Sequence, residues 1–146
     1  MTAARPRGFT LIEVVVTLFV LTLAATLVGP SVVSGVEALK ARTEAAGLAT
    51  FLRGAREQAV THKRAYEVRV KSEEGIVEMR TGDTVPAIRK LGTGVRVTVE
   101  PPARAITFLP QGFSSGARLR VELGRRVYLV TVDPLTGRVS TARMDA

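Results

Sequence analysis

The chain has 146 residues, 46% of them hydrophobic, with a net charge of +8 and no cysteine. That length holds one domain, or one modest domain with a long appended element, and the missing cysteine excludes a disulfide framework while leaving the redox compartment open. The positive charge, carried mainly by arginine, permits contact with anionic lipid, nucleic acid or acidic proteins without choosing among them.

Apolar residues are unevenly spread. From Phe9 to Gly29 the chain reads FTLIEVVVTLFVLTLAATLVG, with Glu13 its only charge, and no apolar run beyond Pro30 exceeds a few residues. As a helix this run spans about 31 Å at ~1.5 Å per residue, which matches a hydrocarbon core of roughly 30 Å. Arg5 and Arg7 precede it. The positive-inside rule leaves so short a basic leader in the cytoplasm and puts everything after Pro30 on the far side. A secretory signal peptide with Leu23-Ala24-Ala25 as its exit is the competing reading. Its apolar region, however, is usually about 7–15 residues long. Nor does such a peptide have a use for Glu13, because an intramembrane carboxylate is costly and needs a partner.

Arg7-Gly8-Phe9-Thr10-Leu11-Ile12-Glu13 resembles the type III signal of type IV pilins and type II secretion pseudopilins. The resemblance implies that a prepilin peptidase cuts between Gly8 and Phe9, that Phe9 becomes N-methylphenylalanine, and that Glu13 is the acidic position used in assembly. The chemistry is coherent. Glycine lets a protease close tightly on the scissile bond. The amine released by cleavage would sit one helical turn from Glu13, and in low dielectric the two groups need each other. A pair between subunits would set the axial register of a filament. The bland alternative is a Glu13 that pairs within its own chain or snorkels to the interface.

Pro30 removes a helical hydrogen bond where the apolar run ends, so a kink or loosening is expected there. Periodicity then resumes, with Val32, Val36 and Leu39 on one face and Ala45, Leu48, Leu52, Ala55 and Ala59 on another. This predicts an amphipathic helix from about Ser31 to Thr61 with one stripe for packing on a sheet. Gly35, Gly47 and Gly54 each weaken it by about 1 kcal/mol relative to alanine, so packing compensates or other subunits approach closely there.

After Lys63 the pattern alternates. Tyr66, Val68 and Val70 lead to a turn at Ser72–Gly75 and a return strand from Ile76. Further strands are expected over Val95–Val99, Ala105–Leu109, Leu119–Leu123, Arg126–Val132 and Gly137–Thr141, bounded by Gly and Pro clusters that include Thr81–Pro86 and Pro101-Pro102. The expected fold is α+β, a long N-terminal helix packed on an antiparallel β-sheet. Its parts are a leader over residues 1–8, a transmembrane helix over 9–29, an amphipathic continuation over 30–63 and a β-rich domain over 64–146.

Phe108-Leu109-Pro110-Gln111-Gly112-Phe113-Ser114-Ser115-Gly116 and Val130-Thr131-Val132-Asp133-Pro134-Leu135-Thr136-Gly137-Arg138-Val139 are similar to segments of the H-type minor pseudopilins of type II secretion and of their FimT-like relatives among the minor type IV pilins. With the leader, the resemblance spans most of the chain. It implies a pilin-like subunit anchored in the bacterial inner membrane with its C-terminal domain in the periplasm. Its partners would be other pseudopilins or pilins, the prepilin peptidase and an inner-membrane assembly platform, and its role would be to support protein export near a filament's tip. The second reading is a minor type IV pilin acting in pilus assembly or DNA uptake. A third is a bitopic membrane protein whose leader is never processed.

No catalytic, cofactor or metal site is expected. His62 is the only histidine and falls at the predicted helix end. Ser114 and Ser115 lack a Gly-x-Ser-x-Gly elbow, and Gly92-Thr93-Gly94 lacks the third glycine of a dinucleotide fingerprint. Glu73-Glu74 reads as a solvated hairpin tip. DNA-binding FimT-like pilins resemble one another in a Gly-Arg-x-Arg element, whereas this chain has Gly137-Arg138-Val139-Ser140. Arg138 and Arg143 stand as candidate DNA contacts, with Arg53 and Arg56 as reference charges elsewhere.

Overall fold

The computed structural model describes residues 8–101 and 104–144, with side chains placed except at 27–34. The leader arginines Arg5 and Arg7 and the side chain of Val32 therefore lie outside the described residues. The chain divides into two units, Met1–Val36 and Glu37–Ala146.

A single helix, α1 (Leu11–His62), is assigned without interruption through Pro30. Thr10 caps its start: the Glu13 N–H donates to Thr10 Oγ1 at 3.3 Å and to the Thr10 carbonyl at 3.1 Å. Thr-x-x-Glu is the spacing of a capping box, of which this is one half. The far end closes on Lys63, whose φ of 52° is the left-handed conformation found just past many helices. The Arg64 N–H then reaches back to the Ala59 carbonyl at 3.2 Å, the long bond of a Schellman motif. His62 sits exposed in the last turn, as the sequence suggests.

Among the described residues eight strands follow: β1 (Tyr66–Lys71), β2 (Ile76–Arg80), β3 (Ala87–Lys90), β4 (Arg96–Val99), β5 (Ile106–Phe108), β6 (Ala117–Leu123), β7 (Arg126–Val132) and β8 (Val139–Met144). They form two antiparallel sheets rather than one, in the orders β3-β2-β1-β5 and β4-β6-β7-β8. The chain changes sheet between β4 and β5. The last rung there is the Glu100 N–H donating to the Arg118 carbonyl, and Pro101 has no N–H to extend it. β3 is absent from the sequence reading: it is a short edge strand, mostly exposed, with no alternation to betray it.

The two sheets and the helix share one core. Ala45, Leu48, Ala49, Leu52, Ala55 and Ala59 meet Val68, Val77, Ile106 and Phe108 from the first sheet, and Val97, Leu119, Val121, Val130 and Val132 from the second. Burying a leucine side chain such as Leu48 or Leu52 contributes about 1.5–3 kcal/mol. Over Gly47 lies the Arg89 guanidinium of β3, the end of a flexible side chain, which pairs with Glu44 at 3.3 Å and would have to shift to admit a Cβ. At Gly35 and Gly54 the space around an added Cβ is empty.

Candidate functional site

In the amino-terminal unit, every large apolar residue of the helix from Leu11 to Leu23 is exposed, on all faces. A helix that is apolar all round is one that something else covers. Among the described residues no helix is long and apolar enough to cross a membrane. The apolar run continues past Thr26 into residues whose side chains lie outside the described set, and the end of the expected span over 9–29 falls there. Glu13 is exposed in the first helical turn, near the positive end of the helix dipole. Gly8 is exposed, and among the described residues nothing lies within 4 Å of a Cβ added to it.

In the second unit, the two family-like segments meet on the helix. Arg56 Nε donates to the Thr136 carbonyl at 3.0 Å and the Gly112 carbonyl at 3.4 Å, while Arg53 Nη2 donates to the Val139 carbonyl at 3.1 Å. Gly112 and Gly137 are buried with φ of 91° and 62°. A Cβ on Gly137 would stand 2.4 Å from the Gly112 carbonyl oxygen and 2.8 Å from Arg56 Nε. Glycine is required there by backbone conformation and by space together.

The β7–β8 turn is built on Asp133. Its Oδ1 accepts the Leu135 N–H at 3.0 Å, the Thr136 N–H at 2.8 Å and the Thr136 hydroxyl at 2.9 Å. Ser114 Oγ donates to the Asp133 carbonyl at 2.9 Å and accepts the Gly116 N–H at 3.1 Å, so Ser114 ties the two loops together. The Thr136 backbone N–H, then its hydroxyl, hold the Asp133 carboxyl below the ordinary carboxylate range. A depressed carboxyl stabilises the fold fully above its unfolded value, and that contribution is lost as pH falls through the folded value. Asp133→Asn keeps an acceptor but no titrating charge. It should flatten the stability curve below about pH 4, measured by thermal melts at stepped pH. An unchanged acid slope in the variant would exclude Asp133 as its source.

Around these contacts lies a cavity of about 660 Å³, lined by Arg53, Arg56, Glu57, Val60, Thr61, Gln111, Gly112, Gly137, Arg138 and Val139. Among the described residues no group of His, Cys, Asp or Glu could hold a metal ion.

The type II transport protein GspH family matches residues 44–136, a span that takes in most of the core, both sheets up to the β7–β8 turn, and Arg56 with its carbonyl partners Gly112 and Thr136. The chain belongs to the GspH family. The prokaryotic N-terminal methylation motif matches residues 4–29. No curated protein sequence matches the chain. Among solved structures, the minor pseudopilin EpsH from the type II secretion system of Vibrio cholerae is similar in fold, with a TM-score of 0.60 at 14% identity, covering 75% of this chain and 98% of that one. The type IV minor pilin FimU of Pseudomonas aeruginosa PAO1 is similar to the same degree, with a TM-score of 0.59 at 14% identity, covering 69% of this chain and 87% of that one. The expected pilin-like α+β fold is thus the observed one.

Within this GspH-family fold the sequence-predicted arginines separate. Arg138 lines the cavity. Arg143 pairs in register with Tyr128 near the other end of β8, on the order of 15 Å away at ~3.3 Å per residue. Conversely, Arg53 and Arg56 are not remote from Arg138, because they line the same cavity. Nothing in the helix around Arg56 marks its role. The signal available for it was a pair of turn glycines, Gly112 and Gly137, in the two family-like segments.

Proposed function

We propose that this GspH-family chain is a minor pseudopilin of a type II secretion system, a non-enzymatic subunit anchored by one helix in the bacterial inner membrane with its β-rich domain in the periplasm. The observation that carries the reading is a helix exposed on all its apolar faces that begins beside an exposed glycine, which no described residue crowds. An exposed glycine is open to an outside requirement, and a peptidase that closes on the bond between Gly8 and Phe9 supplies one. Phe9 then becomes the methylated amino terminus. The apolar helix packs first in lipid and then among the helices of other pseudopilins, brought together by an inner-membrane assembly platform. Mass spectrometry of membrane-extracted protein should find a chain starting at methylated Phe9, and Gly8→Val should leave the precursor uncut. Retention of Met1 in wild type, in cells with an active prepilin peptidase, would overturn the reading.

Glu13 acts in assembly rather than in stability of the outer domain. It is exposed and in no ion pair among the described residues, and the new amine of a neighbouring Phe9 has the matching charge. Glu13→Ala should insert at least as well as wild type, since it removes an intramembrane charge. It should then fail to crosslink with or co-purify in the filament complex, and normal incorporation would make Glu13 a passive snorkelling residue.

The equal likeness to FimU favours a second reading, a minor type IV pilin acting in pilus assembly or DNA uptake. Deleting the gene separates the two: loss of protein export with normal pili supports secretion, and the reverse supports the pilus.

A further inference from the structure

We infer that the cavity bounded by Arg53, Arg56 and Arg138 is a docking site for an acidic peptide segment of a partner protein. Arg53 and Arg56 of α1 and Arg138 of the β7–β8 turn line one cavity of about 660 Å³, with Glu57 as the only carboxylate in the lining. Arg53 and Arg56 are held in place by their bonds to the carbonyls of Val139, Gly112 and Thr136. Each guanidinium has five N–H donors, so these bonds fix the side chain and leave donors for a guest. Such pre-organised arginines lose little entropy on binding. Neither Arg138 nor Glu57 is in an ion pair among the described residues, so a guest carboxylate displaces no internal partner.

The lining adds an apolar component. Val60 lines the cavity and is 44% exposed, and the two loops that supply Gly112 and Gly137 also carry the exposed Phe113 and Leu135 close by along the chain. Arginine with exposed aromatic and aliphatic side chains is the composition of a protein interface, and bidentate guanidinium–carboxylate pairs give it register. The same features argue against a nucleic-acid track. The three arginines line one concavity instead of following a line of phosphates, and Arg143 near the far end of β8 does not extend them. The site concerns the Glu37–Ala146 unit alone and does not depend on processing of the leader.

The test uses the full chain in phosphatidylcholine nanodiscs, with empty nanodiscs as blank. Fluorescence anisotropy would follow a labelled peptide of alternating glutamate and leucine, its glutamine–leucine counterpart, and a labelled DNA duplex, all at physiological salt. The glutamate peptide should bind saturably, the glutamine peptide should not, and Arg138→Gln should weaken binding about tenfold, the scale of one charge-assisted bond. Arg125→Gln removes an equal charge at the exposed β6–β7 turn and should leave binding unchanged. Equal losses in the two variants would reduce the site to net charge, and absence of saturable peptide binding would overturn it. Saturable DNA binding that needs Arg138 but not Arg125 would assign the cavity to nucleic acid instead.

Discussion

Truncation of Leu52 to alanine should lower the unfolding free energy of the outer domain by about 2–5 kcal/mol. Leu52 is fully buried, and its neighbours along the stripe are Leu48 and the small side chains Ala45, Ala49, Ala55 and Ala59. Alanines cannot swing into a void. The helix backbone is also held against the β7–β8 turn by Arg53 and Arg56, so it cannot settle inward to fill one. Incomplete collapse puts the cost in the upper part of that range. Leu39→Ala is the internal reference: Leu39 is 66% exposed on the same helix, and its truncation should change stability by no more than about 0.5 kcal/mol. Urea unfolding of a fragment beginning at Ser31, followed by circular dichroism, compares the two. A loss below ~0.5 kcal/mol for Leu52→Ala would show that the stripe does not pack on its own sheets in solution.

The buried stripe that holds Leu52 was legible in the sequence, because burial on a helix leaves a 3.6-residue period, whereas the exposure of Leu39, on a second apolar face, was not. The stripe through Ala45, Leu48, Leu52, Ala55 and Ala59 repeats at that period and is wholly buried. The hairpin of β1 and β2 was legible for a similar local reason: a period of two on each side of Ser72–Gly75, with Gly75 at φ 64°. What escaped is non-local. Ala87–Lys90 acquires strand geometry only from pairing with β2, and its four residues carry no pattern of their own. The division into two sheets depends on which strand β5 joins, and it pairs with β1, some 40 residues earlier. Arg56 reads in isolation as one more solvated charge on a helix. Its partners Gly112 and Thr136 lie 56 and 80 residues away, and only the folded chain shows that they share one guanidinium. Arg138 and Arg143, five positions apart, suggest a pair until an extended strand carries the second away from the first.

Gly137→Ala and Gly54→Ala should move stability in opposite directions, although both add one methyl group. At Gly137 the backbone has φ 62°, where a Cβ costs about 1–2 kcal/mol. That Cβ would also stand 2.4 Å from the Gly112 carbonyl oxygen, a backbone atom, and 2.8 Å from Arg56 Nε. Relieving such a clash means moving one of the loops or releasing the Arg56 bonds, at a cost of about 1–3 kcal/mol. The two effects together predict a loss of about 2–5 kcal/mol for Gly137→Ala. Gly54 lies in the helix with nothing within 4 Å of an added Cβ, so alanine there should gain up to about 1 kcal/mol from helix propensity alone. Urea unfolding of the two variants gives both signs directly, and a Gly137→Ala protein as stable as wild type would mean that Arg56 does not hold the two loops together. Gly54 carries a second readout. A helix position that gives up stability for no internal contact is suited to close approach by another subunit. Gly54→Ala should therefore strengthen the isolated domain yet weaken co-purification with the filament complex. Unimpaired co-purification would leave Gly54 with no role in packing between subunits.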